Sequence, residues 1–148
     1  MAITTSAGAA LAIVKAEPAT YDISGFGALS FVEVGQIETL GEFGGSSQII
    51  EFTGLTDVVV QKFKGSFNAG SVSVNLGRDI TDAGQVVLQA GAIPTVNTVH
   101  SFSFTETGGD IIYVTGIITS YTVNYSDANS VTKATVVLEL DNQAIAGQ

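Results

Sequence analysis

The residues of this chain that could bind a metal or act in catalysis are few and scattered. His100 is the single histidine and there is no cysteine, so a metal site built from several histidines, or one built from thiolates, cannot form within one chain. The segment 98–106 alternates in polarity and predicts a strand, with His100, Phe102 and Phe104 on one face. We expect His100 to lie among these rings with a hydrogen-bond partner rather than to react.

The carboxylates do not form a recognisable reactive pair. Asp79 and Asp82 stand three residues apart at the start of a predicted helix, where the helix dipole favours negative charge. Capping therefore explains them better than acid–base chemistry does. Asp127 and Asn129 lack the glycine and terminal glutamate of a calcium loop and predict a turn. Nothing selects a glycosidase pair from the 14 acidic residues. We expect no enzyme, no cofactor and no metal site.

Composition limits the partners of the chain. Its 148 residues predict one domain, 1–148, long enough to bury a core. The 14 acidic and 5 basic residues give a net charge of −9, which argues against tight binding to nucleic acid. The mean hydropathy of +0.40 is high, so we expect apolar surface that another protein covers. No apolar run is long enough for a membrane span, and residues 1–8 are interpreted as an arm rather than a signal peptide.

The stretch from residue 57 to residue 90 predicts two strands and a helix. The strands are DVVVQKFKGSF and SVSVNL, joined by Asn68, Ala69 and Gly70. In the second strand, Val72, Val74 and Leu76 alternate with polar residues, which predicts one buried face and one hydrated face.

Helix signals follow immediately in the sequence. Asp79 and Asp82 can each cap the N-terminus, Gln85 completes the spacing of a capping box with Asp82, and Gly91 offers a C-cap. The stripe predicted to pack against the sheet consists of Ile80, Ala83, Val87 and Ala90, flanked by Val86 and Leu88.

The segment 39–56 is the second informative stretch. It is rich in Gly and Ser and longer than most loops in compact domains. Its apolar residues argue against disorder; they are Phe43, Ile49, Ile50, Phe52 and Leu55. Two interpretations stand: a hairpin extension folded onto its own core, or an arm whose apolar side chains are buried by a neighbouring subunit.

The other segments complete a mainly β fold, a β-sandwich or barrel of about seven strands with one flanking α-helix. Strands are expected over 9–15, 28–38, 98–106, 111–125 and 131–140, and residues 141–148 form a second arm. Gly116 is expected to mark a bulge or bend in the long strand. In the last strand, Ala134, Val136, Leu138 and Leu140 are expected to point inward.

Several segments, in this order and spacing, resemble the tail tube proteins (major tail proteins) of bacteriophages with long, non-contractile tails. They are TSAGAAL near the start, PATYD with GF, VGQIETLGEFG over 34–44, and KGSFNAGSVSVNL with DITDAGQ over 64–85. No single motif is diagnostic, and the resemblance covers about the first two thirds of the chain.

The resemblance implies a structural virion protein of the phage tail, made in the host cytoplasm. Hexameric rings of such subunits stack into a hollow tube through which the genome leaves the capsid. The long loop and the arms bridge subunits and rings. The implied partners are other copies of the chain, the tape measure protein, the tail terminator and the distal tail or baseplate proteins, with DNA passing through without specific binding and with no membrane.

Physical reasoning is compatible with that role. Acidic or hydroxyl-lined walls would let DNA pass, since they make no lysine–phosphate contacts. Candidate hydroxyl and amide faces are Ser71, Ser73, Asn75, Ser101, Ser103 and Thr105, which could equally be the solvent face of any sandwich. Two other hypotheses remain: a ring protein of a secretion-type tube, and a monomeric ligand-binding barrel with the 39–56 loop folded over an apolar cavity.

Overall fold

A computed structural model describes residues 3, 5–42 and 44–147. Ten strands and two helices lie within this part of the chain. In chain order they are β1 (Ala10–Val14), α1 (Ile23–Gly27), β2 (Val32–Val34), β3 (Ile37–Thr39), β4 (Ser46–Phe52), β5 (Gln61–Asn68), β6 (Ser71–Gly77), α2 (Ala83–Gly91), β7 (His100–Thr105), β8 (Ile111–Asn124), β9 (Lys133–Leu140) and β10 (Ile145–Gly147). The mainly β fold is confirmed, with more strands than the seven expected.

Eight of the strands form one antiparallel sheet in the order β2-β1-β7-β8-β9-β6-β3, with β10 added to β8. The consecutive strands β2 and β3 therefore lie at opposite ends of the sheet. Only Gly35 and Gln36 separate them, and the three Cα–Cα steps from Val34 to Ile37 span at most about 11 Å. The sheet must curl until its two ends meet, which gives the barrel-like form.

The single strand expected over 28–38 is thus wrong, because the chain changes direction at Gly35 and Gln36. Gln36 has a φ of 61°, a left-handed conformation that ends β2. Strand β2 then pairs with β1 and β3 pairs with β6.

The core lies between the inward faces of the curled sheet. Strands β6 and β9 pair with each other over Ser71–Gly77 and Lys133–Glu139. Each buries alternate residues, as the sequence predicted. The buried side chains of these two strands are Val72, Val74, Leu76, Ala134, Val136, Leu138 and Leu140.

Strand β7 is buried on both faces, so the expectation that Ser101 and Ser103 lie on a hydrated face is wrong. β7 lies between β1 and β8 in the sheet. The Ser101 hydroxyl is fully buried and donates to the Ala16 carbonyl at 2.6 Å. A buried hydroxyl with such a partner costs little, so a small polar residue can face the interior here.

Helix α2 packs on the sheet mainly through residues outside the predicted stripe, and of the predicted set only the flanking Leu88 is fully buried. Its buried residues are Gly84, Gln85, Leu88 and Gly91. Of the predicted stripe, Ile80, Ala83 and Ala90 are exposed and Val87 is partly buried. A Cβ atom on Gly84 would lie 2.5 Å from the Glu33 carbonyl oxygen, so the missing side chain is what lets the helix approach β2.

A second, short helix makes the expectation of a single helix incomplete. Helix α1 lies between the first two strands of the chain, and Asp22 is its N-cap. The Asp22 carboxylate accepts from the Gly25 N–H at 2.7 Å. Phe26 is fully buried and stacks on Tyr113 with a centroid distance of 5.0 Å.

Strand β8 is the longest strand, as expected, but its irregularity is not at Gly116. The register shift lies between Ile118 and Ser120. Gly116 pairs with His100 and Leu140, and a Cβ atom there would lie 2.4 Å from the Glu139 carbonyl oxygen. The absence of a side chain at Gly116 therefore allows β8 to lie close to β9. No helix within the described residues is long and apolar enough to cross a membrane.

Candidate assembly surface

Strands β4 and β5 form a two-stranded sheet of their own, outside the main sheet. We call residues 46–68 the hairpin. Its ladder pairs Ile50 with Phe63 and Phe52 with Gln61. Since a strand of seven residues is about 23 Å long, the hairpin is a long ribbon with two free faces.

The two faces of the hairpin differ in chemistry. Directly paired residues share a face, and neighbours along a strand alternate. One face, the apolar face, carries Ile50, Phe52 and Phe63, and each of these side chains is about half exposed. The opposite face carries Ile49, Glu51, Lys62 and Lys64 and, beyond the register shift between Ser47 and Ile49, also Phe67. The hairpin is therefore amphipathic, although neither face is covered.

The predicted interface residues lie on this hairpin and its tip. Ile49, Ile50, Phe52 and Leu55 are 64%, 55%, 58% and 107% exposed, so none is buried by its own chain. Phe43 lies outside the described residues. Phe63 and Phe67 lie in the strand predicted to start at residue 57 and were therefore not assigned to this surface, although the alternation of Phe63 with Lys62 and Lys64 was a visible signal.

The tip of the hairpin, residues 53–60, is also apolar. The chain turns at Gly54, where the Asp57 N–H donates to the Gly54 carbonyl at 3.1 Å. Leu55 and Val58 are fully exposed, and Val59 is largely so. An exposed apolar cluster of this kind typically marks a surface that contacts another protein.

An open cleft lies at one end of the sheet. Its volume is about 710 Å³, and it is lined by residues 5–9, 37–41 and 104–107 together with Ile112. Thr107 holds the N-terminal wall in place, since its hydroxyl contacts the carbonyls of Thr5 at 2.9 Å and Ala7 at 2.6 Å. The hairpin does not cover this cleft, so the hypothesis of a ligand-binding barrel with the 39–56 loop folded over its cavity gains no support.

The predicted helix-cap residues join three segments of the chain. The Asp82 carboxylate accepts from the Gln85 N–H at 3.0 Å and from the Gly35 N–H at 3.1 Å. The Asp79 carboxylate instead accepts from the N–H and hydroxyl of Thr81, at 2.9 Å and 2.6 Å. These bonds to Thr81 lower the pKa of Asp79 below its usual value.

Gln85 does not close a capping box onto Asp82, because its side chain is used elsewhere. It is buried, and its Oε1 accepts from the Asp79 N–H at 2.9 Å. Its Nε2 donates to the carbonyls of Gly35 and Gly77, at 3.0 Å and 2.9 Å. Gln85 therefore fastens the β2–β3 connection to the end of β6.

His100 has the position expected on the face of β7. It is fully buried, its ring stacks loosely on Phe102 at 6.5 Å, and its Nδ1 lies 2.9 Å from the Thr98 carbonyl. Its Nε2 is buried without a hydrogen-bond partner among the described residues. Burial lowers the pKa of His100, since the charged ring would be desolvated. The arrangement favours a neutral structural histidine.

The described residues contain no group of three or more His, Cys, Asp or Glu side chains able to hold a metal ion. Asp127 lies in a turn, where its carboxylate accepts from the Asn129 N–H at 3.0 Å and from the Ser130 hydroxyl at 2.9 Å. The hairpin and the cleft are the features of the described structure that remain to be explained by function.

Solved structures share this fold over almost the whole chain. A chain in the cryo-EM structure of the anti-feeding prophage (AFP) baseplate, 6-fold symmetrised, matches with a TM-score of 0.68, 10% identity and coverage of 99% of this chain and 97% of that chain. A chain in the PVC sheath/tube terminator of an extracellular contractile injection system, in the extended state, matches with a TM-score of 0.69, 13% identity and coverage of 99% and 97%.

A chain in the PVC sheath-tube complex, also in the extended state, matches with a TM-score of 0.52, 17% identity and coverage of 86% and 99%. No family profile and no curated protein matches the sequence. At these identities the likeness establishes the fold, which is the tail-tube-like fold implied by the resemblance in sequence. It does not distinguish phages with non-contractile tails from other particles that use this fold.

Proposed function

We propose that this chain is a structural subunit of a phage tail, which closes with copies of itself into hexameric rings that stack into a hollow tube. In this proposal the tube belongs to a phage with a long, non-contractile tail and conducts the genome into the host. The observation that carries the proposal is the uncovered hairpin. The tail-tube-like fold, shared over almost the whole chain, supports it.

The hairpin needs a partner for physical reasons. A two-stranded ribbon is only marginally stable in water, and this one has an apolar face that its own domain does not cover. Ile50, Phe52 and Phe63 would leave water on contact with another copy, a transfer that favours assembly.

Ring and tube assembly both require heterologous contacts between copies. A rotation that closes gives a ring, and stacking along the axis stays open and gives a filament. The net charge of −9 suits a channel for DNA, because few lysine–phosphate contacts would retard its passage. Ser71 and Ser73 are exposed and remain candidates for the channel wall, whereas Ser101 and Ser103 are buried.

A second candidate is a tube subunit of an injection particle that delivers proteins rather than a genome. The solved structures that share the fold favour it, since two of them belong to an extracellular contractile injection system. Genes adjacent to this one would separate the candidates. Tape measure and terminator genes without sheath or secretion ATPase genes support the phage tail, and sheath or ATPase genes support the injection particle.

Electron microscopy of the purified protein tests the proposal directly. We expect annuli with six-fold symmetry and an open bore, and stacked tubes at high protein concentration. A protein that remains monomeric in sedimentation at every concentration, salt and pH tried would refute it. Tubes with another rotational symmetry would refute the six-fold ring but would still support assembly into a tube.

A further inference from the structure

We infer that protonation of the buried His100 ring releases the C-terminal turn of helix α2 from the sheet, so that this turn responds to acid while the sheet stays folded. The parts of the device are the ring, the helix end at Gly91 and the connection 92–99, which runs from the helix to β7. The inference concerns the fold of one subunit and does not depend on the proposed assembly.

The ring lies directly beneath the end of the helix. His100 is fully buried, and Gly91 is the last residue of α2. A Cβ atom on Gly91 would lie 3.1 Å from Nε2 of His100 and 2.6 Å from Cδ1 of Ile118. The absence of a side chain at Gly91 therefore lets the helix end pack closely on the ring and on β8.

The hydrogen bonds of the ring suit its neutral form alone. Nδ1 lies 2.9 Å from the Thr98 carbonyl, so in the neutral ring Nδ1 carries the proton and donates it to this oxygen. Nε2 is buried without a hydrogen-bond partner among the described residues. Protonation would place a donor and a positive charge at Nε2. A buried charge without a partner is costly, so the charged ring requires contact with water.

The charges around His100 do not compensate for a charged ring. Lys15 acts on the ring and disfavours its protonation. Helix α2, the connection 92–99 and strands β7 and β8 contain no charged residue. In β9, Glu139 is exposed and alternates with the buried Leu140. No carboxylate from these elements therefore faces the ring.

The turn above the ring is weakly bonded to the rest of the helix. The Ala92 N–H is shared between two helix carbonyls at 3.2 Å and 3.3 Å, and the Ile93 N–H lies 3.4 Å from a third. These distances exceed the usual length of about 2.9–3.0 Å. The first turn is held more firmly, because Asp82 accepts from Gln85 at 3.0 Å and the Gln85 side chain bonds three backbone groups. Release should therefore begin at the C-terminal end.

The direction of the pH response follows from burial. Burial lowers the pKa of His100 in the closed form, so the ring is neutral and the turn is closed at neutral pH. In the open form the ring reaches water and its pKa returns toward about 6.5. Opening therefore becomes easier as the pH falls below this value, by at most about tenfold per pH unit for one proton.

Hydrogen exchange measured by mass spectrometry tests the inference on the purified protein at pH 7.5 and pH 5.5, with rates corrected for the intrinsic effect of pH. We expect the protection of amides 88–93 to decrease about five- to tenfold at pH 5.5 in the wild type. His100→Phe should show no such decrease. At both pH values these amides should exchange faster than those of β9, because they open without unfolding of the sheet.

Gly91→Ala provides a second test at neutral pH. Its new methyl group would press on His100 and Ile118, so amides 88–93 should lose protection at pH 7.5. Gln89→Ala, at an exposed position of the same turn, is the matched control and should keep it. The inference is wrong if amides 88–93 of the wild type are equally protected at both pH values, or exchange only together with those of β9. An equal decrease in His100→Phe would also overturn it.

Discussion

Strands β5 and β6 are neighbours in sequence, separated by Ala69 and Gly70, yet they have opposite surroundings. Both alternate apolar and polar residues. In β6 the apolar residues Val72 and Val74 are at most 1% exposed, whereas Phe63 and Phe67 in β5 are 54% and 49% exposed. The same pattern therefore predicts burial without specifying which molecule provides it.

The difference lies in what each strand pairs with. β6 lies inside the main sheet between β9 and β3, and β5 pairs with β4 alone. The chain changes direction between β5 and β6 at Gly70, which has a φ of 87°. Glycine adopts this left-handed conformation without strain. Substitutions in β6 should therefore affect folding, and substitutions in the hairpin should affect association.

The largest expected effect is that of Val74→Asp. Val74 is fully buried in the core, so a carboxylate there would be desolvated without a partner. We expect a loss of at least about 4 kcal/mol in the free energy of unfolding, enough to unfold a marginally stable domain. Circular dichroism and urea denaturation measure it. A folded, soluble Val74→Asp protein would contradict the assignment of β6 to the core.

Gln85→Leu should have the next largest effect. The substitution removes the amide that bonds Gly35, Gly77 and Asp79 and leaves these backbone groups without their partner. We expect a loss of about 3 kcal/mol, since an unsatisfied buried polar group costs about 1–3 kcal/mol. Urea denaturation of Gln85→Leu beside the exposed control Gln89→Leu measures it. Equal stability of the two variants would show that the Gln85 bonds contribute little.

A smaller effect should come from the titration of His100. Burial lowers its pKa in the folded protein, so the neutral ring contributes stability above the unfolded pKa of about 6.5. That contribution is lost as the pH falls below this value, at a rate of no more than about 1.4 kcal/mol per pH unit.

The measurement compares the free energy of unfolding at pH 7.5 and pH 5.5 for the wild-type protein and for His100→Phe. We expect a decrease toward pH 5.5 in the wild type that is absent from the variant. Asp22 and Asp79 do not contribute to this decrease, because their pKa values are lowered below the usual 3.8. If the free energy of unfolding decreased equally in both proteins, the decrease would be due to the titration of groups other than His100.

The smallest effect on the monomer should come from Ile49→Asp and Ile50→Asp. Both residues are exposed, so we expect changes within about 0.5 kcal/mol in the free energy of unfolding. Assembly should respond strongly. The double variant should remain folded and form no tubes, because carboxylates would be desolvated against an apolar neighbour. If the double variant formed tubes of normal length, the hairpin would not be part of the interface between subunits.

The two single variants sharpen this prediction. Ile50 lies on the apolar face beside Phe63, while Ile49 pairs with Lys64 on the opposite face. Ile50→Asp alone should therefore block assembly, and Ile49→Asp serves as its matched control with a weaker effect. Sedimentation velocity and negative-stain microscopy measure both. A stronger effect of Ile49→Asp would mean that the polar face is the one that becomes covered.

Much of the fold could be predicted from the sequence because alternation reports burial directly. The buried residues of β6 and β9 follow their period-2 pattern, and the long strand β8 follows its β-branched and aromatic composition. The apolar residues of the 39–56 segment left two interpretations open, and the structure leaves Ile49, Ile50 and Phe52 exposed rather than folded onto their own core. These predictions depend on local patterns alone.

Other features have no local signal. The face of α2 that packs on the sheet is built on Gly84, Gly91 and the polar Gln85, which a search for apolar stripes passes over. The break between β2 and β3 depends on the conformation of Gln36, a residue type that rarely adopts a positive φ. The separation of β5 from the main sheet is a matter of tertiary pairing, since β5 alternates just as β6 does.

The side chain of Gln85 has a consequence for the order in which the subunit matures. It bonds backbone groups at residues 35, 77 and 79 and so holds the β2–β3 connection against the end of β6. Gln85 follows both β2 and β3 in the sequence, so it leaves the ribosome after them. A nascent chain that ends before Gln85 lacks the hydrogen bonds that join the β2–β3 connection to β6. Closure of the barrel waits longer still, because β7, β8 and β9, which join β1 and β2 to β6 and β3 in the sheet, are synthesised after helix α2. The hairpin lies upstream of all of them and is synthesised first.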